Sequence, residues 1–169
     1  MSGEQKSHTI SILVNDEPGV LARVAGLFSR RGYNIDSITV GGSEEPGLSR
    51  MIIVTRGDDH TVEQITKQLN KLIDVIKVQV LSEQAMVSRE LALIKVNVSP
   101  ANRAELTGII EPFRASIIDV GQTSLIVQVT GDQNKVNALI QLLKPYGIKE
   151  ICRTGVSAMA RSLTMVPMK

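Results

Sequence analysis

ISILVNDEPGVLARVAGLFSRRGYNI, residues 10–35, contains a complete change of backbone period. Ile10, Ile12 and Val14 alternate with Ser11 and Leu13, the period of two that buries one face of a β-strand. Beyond the turn the spacing becomes helical, with Val20, Val24 and Leu27 beside Leu21, Ala25 and Phe28 on one apolar stripe. Pro18 suits the first helical position, because the N–H it lacks is one a helix leaves unpaired anyway, and Gly32 after Arg30 and Arg31 marks a C-terminal stop. The stretch predicts a strand ending at Asn15, a helix over 18–31 and a second strand entering at Ile35.

Further on, strand-like runs at 35–40 and 51–55 flank GGSEEPGLS, a turn-rich hairpin loop. A second helix is expected from Asp58 with the stripe Val62, Ile65, Leu69 and Leu72, followed by an alternating strand in Ile76, Val78 and Val80. The order βαββαβ is a ferredoxin-like unit. The rest of the chain repeats it: a shift of 82 lays Ile12 on Ile94, Pro18 on Pro100 and Ile35 on Ile117, and a shift of 74 lays Asp58 on Asp132 and Ile65 on Leu139. The difference is absorbed by a shorter hairpin at VGQTS. The fold class is therefore α+β, two tandem ferredoxin-like units, with domains at 1–82 and 89–169 and a polar linker at 83–88.

Composition narrows the function. The net charge of +2 is too small to predict a nucleic-acid or anionic-membrane partner. The longest apolar runs, MIIV and LALI, are far too short to span a bilayer, and MSGEQKSHT lacks the apolar segment of a secretion signal. With a single cysteine, Cys152, in an apolar strand context that suggests packing, the chain is expected to be cytoplasmic. An RNA-binding sheet needs stacking aromatics, and here two phenylalanines fall on helical stripes and two tyrosines at helix ends. His8, placed by its position near the fraying N-terminus, and His60, beside a helix start, build neither a metal cluster nor a nucleophile constellation, which argues against an enzyme in its own right. Arg30 and Arg31 complement the dipole of a last helical turn.

The turn at 15–20 is the candidate site. A helix start offers unpaired N–H groups and a positive dipole end to a carboxylate or phosphate, and Gly19 lets a ligand approach the backbone. Asn15 and Asn34, at the end of one strand and the start of another, are expected at neighbouring positions with carbonyl oxygens for an ammonium group. That combination fits an α-amino acid. The same residues also serve an ordinary helix start, and the second copy has Ala101 where the first has Gly19. Asp36 either faces this pocket or is a solvated strand residue.

DEPGVL in a βαββαβ pattern resembles an ACT domain, a small-molecule sensing module. GVLARVAGLFSRRGYNIDSITV, LSRM, ELALIKV, FRASIIDV and RTGVSAMAR together resemble the small regulatory subunits of acetohydroxyacid synthase (acetolactate synthase) over essentially the whole chain. The resemblance implies a homodimer of paired ACT domains that binds valine or a related branched-chain amino acid at the interface. It also implies a large catalytic subunit, carrying thiamine diphosphate, FAD and magnesium, which the small subunit activates and makes feedback-inhibitable, with no cofactor on this chain. Carried onto this sequence, the effector site comprises Asn15, Pro18, Gly19, Val20 and Leu21, with Asn34 and Ile35 from the neighbouring protomer. A tandem sensor that controls transcription or another enzyme would share fold and pocket.

Overall fold

The computed structural model describes residues 5–162. Its chain divides into two compact units, one running to Val87 and resumed from Ser157, the other Ser88–Val156. The compact units differ from the expected division at both ends. A 3-10 turn at Leu81–Glu83 and a continuous strand, β5 (Met86–Asn97), occupy most of the supposed linker, and β9 (Ser157–Ala160), which no periodicity announced, belongs with the first unit.

The first unit contains β1 (Lys6–Asn15), α1 (Val20–Arg30), β2 (Ile35–Gly42), β3 (Leu48–Gly57), α2 (Asp59–Asn70) and β4 (Val75–Val80). Its antiparallel sheet has the order β2-β3-β1-β4, so β2 and β4 form the edges. The alternation read from the sequence becomes the core: Ile10, Ile12 and Val14 meet Val20, Val24, Leu27 and Phe28 of α1 and Ile65 and Leu69 of α2. Burying such aliphatic side chains is worth about 1.5–3 kcal/mol each, which ties the helices to one face of the sheet. His8 lies within this sheet, buried, with Nε2 2.9 Å from the Gly57 carbonyl oxygen, and not at a frayed end.

The second unit repeats the pattern with β5, α3 (Arg103–Ile110), β6 (Ser116–Val120), β7 (Ser124–Gly131), α4 (Gln133–Leu143) and β8 (Ile148–Arg153), in the order β6-β7-β5-β8 around its own core. The repeat extends to detail. Asp58 and Asp132 cap α2 and α4 by accepting from the N–H groups of Thr61 and Lys135 at 2.7 and 2.8 Å. Asp36 and Ile118 are each skipped by a β-bulge in the strand after the first helix of their unit.

Bulges also explain two misread faces. The register slips between Leu13 and Val14, so that Val75 and not Ile76 stands opposite Val14, and Ile76 is left exposed. Strict alternation across 76–80 therefore named the wrong first residue. Cys152, taken for a packing residue, is exposed on β8, where it borders a shallow depression with Leu93, Lys95, Ile126 and Glu150.

Candidate functional site

Helix α1 starts two residues later than the sequence predicts, and the delay creates the site. Glu17, Pro18, Gly19 and Val20 form a tight turn, with the Val20 N–H 3.4 Å from the Glu17 carbonyl oxygen. Pro18 occupies the second turn position and Gly19 the third, at φ 87° and ψ −8°. Those angles are those of a type II turn, in which the third residue needs positive φ and is typically glycine. Gly19 is therefore the N-cap of α1, and having no side chain it supplies no capping group. With no acidic residue in the first turn, the dipole end is left to the backbone amides. The second unit does not reproduce this turn: α3 begins at Arg103 after Asn102 at φ −110°.

Asn15 closes β1 beside the turn, its N–H donating to the Asp74 carbonyl oxygen at 2.9 Å. Asp74, a buried carboxylate, accepts from Nε of Arg23 at 2.7 Å. The Arg23 guanidinium in turn lies over the glycine, since a Cβ built on Gly19 would stand 3.1 Å from its Nη1. Arg23 and Asp74 thus border the candidate turn, and sequence reasoning missed both. The only signal was an arginine four residues after Gly19, one helical turn on, and nothing in the spacing linked it to Asp74.

The remaining expected residues fall in two groups. Val20 is buried in the core and offers only its backbone, while Leu21 is exposed at the start of the helix. Asn34 and Ile35 are elsewhere. Ile35 pairs with Thr55 on β3 and Asn15 with Leu48, seven residues apart on one strand and so roughly 24 Å distant. The expectation that Asn15 and Asn34 are neighbours within one chain is corrected: β1 and β2 run in the same direction, both antiparallel to β3, so the end of one and the start of the other lie at opposite ends of the sheet.

At that other end Asn34 is tightly held. Its carbonyl oxygen accepts from Oγ1 of Thr55 at 2.5 Å, and its Nδ2 donates to Oδ1 of Asp36 at 2.6 Å. Asp36 is gripped from its other side by Nε of Arg56 at 2.8 Å. Asn34 and Arg56 line a polar cleft with Arg31, Tyr33 and Thr61.

Comparison with known proteins decides the family. Residues 10–77 match the model of the AHAS small subunit-like ACT domain, and residues 89–162 that of the small subunit of acetolactate synthase. The acetolactate synthase small subunit of Bacillus subtilis is 58% identical over 153 residues, covering 90% of this chain and 89% of its own. The chain belongs to the acetolactate synthase small-subunit family. The small subunit of Mycolicibacterium smegmatis is 50% identical over 161 residues, 95% of each chain. The crystal structure of the Thermotoga maritima small subunit superposes with a TM-score of 0.85 at 48% identity, covering 94% of this chain and 99% of that one. This small subunit is thus a regulatory chain of branched-chain amino acid biosynthesis, and its first unit, which carries the Gly19 turn, is an ACT domain. Among its described residues no helix is long and apolar enough to cross a membrane.

Proposed function

We propose that this small subunit senses valine or a related branched-chain amino acid at a site shared between two copies of the chain, and transmits its occupancy to a large catalytic subunit. The observation that carries the reading is the uncapped type II turn at Gly19 with Asn15 beside it. The α1 amides and the positive end of the helix suit the effector's carboxylate. Asn15 supplies a carbonyl oxygen for the ammonium group, and exposed Leu21 an aliphatic contact.

A single chain offers only half of such a site, since Asn34 and Ile35 stand at the far end of the sheet. Edge strand β2 suggests how the other half arrives. Two β2 edges paired antiparallel about a two-fold axis bring the Asn34 end of each chain toward the Asn15 end of the other. Asn34 of the second copy then offers its side-chain oxygen to the ammonium, and Ile35 of that copy completes the apolar wall. Two equivalent sites follow from the symmetry.

Regulation requires the effector to bind one geometry of the dimer more tightly than another, because equal affinity for both shifts nothing. An effector bridging two copies meets that requirement, since its contacts depend on their relative placement. The large subunit, with thiamine diphosphate, FAD and magnesium, would supply the chemistry, and this chain activation and feedback inhibition in the cytoplasm. Reconstitution tests this: adding the small subunit to the large one is expected to raise acetolactate formation, and valine then to lower it. Reconstituted activity indifferent to valine, leucine and isoleucine refutes the sensing role.

A further inference from the structure

The Asn34 end of the subunit contains a chain of polar contacts that an isolated amino-acid contact does not require. Asn34 donates through Nδ2 to Oδ1 of Asp36 at 2.6 Å, and Arg56 donates through Nε to the other carboxylate oxygen at 2.8 Å. A carboxylate only accepts, so the end of the Asn34 amide that faces it must be the NH2 end. The carbonyl oxygen is thereby turned away from Asp36. The backbone is fixed as well, because the Asn34 carbonyl accepts from Thr55, whose side chain is fully buried. Asp36 is the residue that the β2 bulge skips, and its side chain is 20% exposed against 66% for that of Arg56. Bulges of this kind re-aim a side chain out of the regular alternation.

We infer that Asp36, anchored by Arg56, is a positioning residue that fixes the polarity of the Asn34 amide and thereby selects a ligand bearing a hydrogen-bond donor, an ammonium, over one bearing an acceptor. On the amino-acid-sensor reading above, on which this rests, Asp36 does not touch the effector. It prevents Asn34 from rotating its amide by half a turn, which would present NH2 to the ligand at no cost in shape. The distinction matters chemically, since an α-amino acid and the 2-oxo acid of the same carbon skeleton share a carboxylate and an aliphatic chain. They differ in whether a donor or an acceptor sits on the α-carbon.

The test is calorimetric titration of the full-length subunit with L-valine and, separately, with 3-methyl-2-oxobutanoate. In Asp36→Asn either amide orientation of Asn34 finds a partner, so the constraint is removed with little change of volume. The variant is expected to bind valine about tenfold more weakly, the equivalent of one compromised charged hydrogen bond. It is also expected to bind the oxo acid no more weakly than wild type, so that the preference for the amino acid falls at least tenfold. A purely structural role would weaken both ligands alike and leave the preference unchanged. Arg56→Gln, altered at a mostly exposed side chain, guards against misfolding and should shift the preference in the same direction by a smaller factor. Wild-type preference in both variants, with valine still bound by the wild type, overturns the role of Asp36 alone. No valine binding by the wild type overturns the sensor reading and the positioning role with it.

Discussion

Replacing Gly19 by aspartate sets a carboxylate where the effector's carboxylate is proposed to lie. The backbone cost is limited: at φ 87° a side chain meets the left-handed penalty of about 1–2 kcal/mol, and aspartate tolerates that region better than most residues. Sterically there is room, because the new Cβ would approach only the end of the flexible Arg23 side chain, at 3.1 Å. Electrostatics decides the outcome. Two carboxylates about 4 Å apart repel by about 4 kcal/mol at an effective dielectric constant of 20. Arg23 offsets part of this, and a net penalty of about 2 kcal/mol weakens binding roughly thirtyfold. Gly19→Ala is the control, since it has at least as much backbone strain without the charge. Valine titration of both variants, with inhibition curves on the reconstituted enzyme, should show feedback lost in the aspartate variant and activation by the small subunit retained. Wild-type valine affinity in Gly19→Asp, or an equal loss in Gly19→Ala, refutes the placement of the carboxylate at this turn.

Three further outcomes follow from the same geometry. Asp74→Asn removes the charge that holds Arg23 over the turn; with Arg23 half exposed, the loss of stability in urea denaturation should be about 1 kcal/mol, accompanied by weaker valine binding. Asp132→Ala uncaps α4 and should cost about 1 kcal/mol by the same measurement without altering valine binding, because the residue lies in the second unit. The backbone N–H of Thr61 holds the Asp58 carboxyl below its ordinary value of 3.8. A depressed carboxyl stabilises the folded state above its unfolded value and ceases to as pH falls through the folded one, so the stability difference between wild type and Asp58→Ala should be present at pH 7 and shrink below about pH 4.

What the sequence disclosed is what local chemistry encodes. Ile10, Ile12 and Val14 against the α1 stripe specified the first core, and the offset that lays Asp58 on Asp132 predicted the repeat, in which the structure adds matching helix caps. Departures from periodicity were not legible. The bulge that exposes Ile76 is a property of pairing between β1 and β4, and no spacing within 76–80 announces it. β9 is short, with four residues, too few to establish an alternation. At the site, Pro18 and Gly19 marked the turn because their allowed angles are local properties. Arg23 and Asp74 escaped because their ion pair forms only when α1 and the start of β4 converge. The order β2-β3-β1-β4 inserts a strand between Asn15 and Asn34 and sets them at opposite ends, a fact about topology that adjacency in sequence obscured.

That separation makes one mixing experiment the most direct measurement. Gly19→Asp and Asn34→Ala chains are expected to bind no valine, or very little, each alone, because every site lacks one of its halves. Unfolded together and refolded, they form mixed dimers in which one site collects both substitutions and the other collects neither. Valine titration of an equal mixture should then recover high-affinity binding at about a quarter of the wild-type stoichiometry, as random pairing about a two-fold axis requires. If mixed dimers form and bind no valine, or if Asn34→Ala alone binds as tightly as wild type, the site is not shared between two copies of this chain.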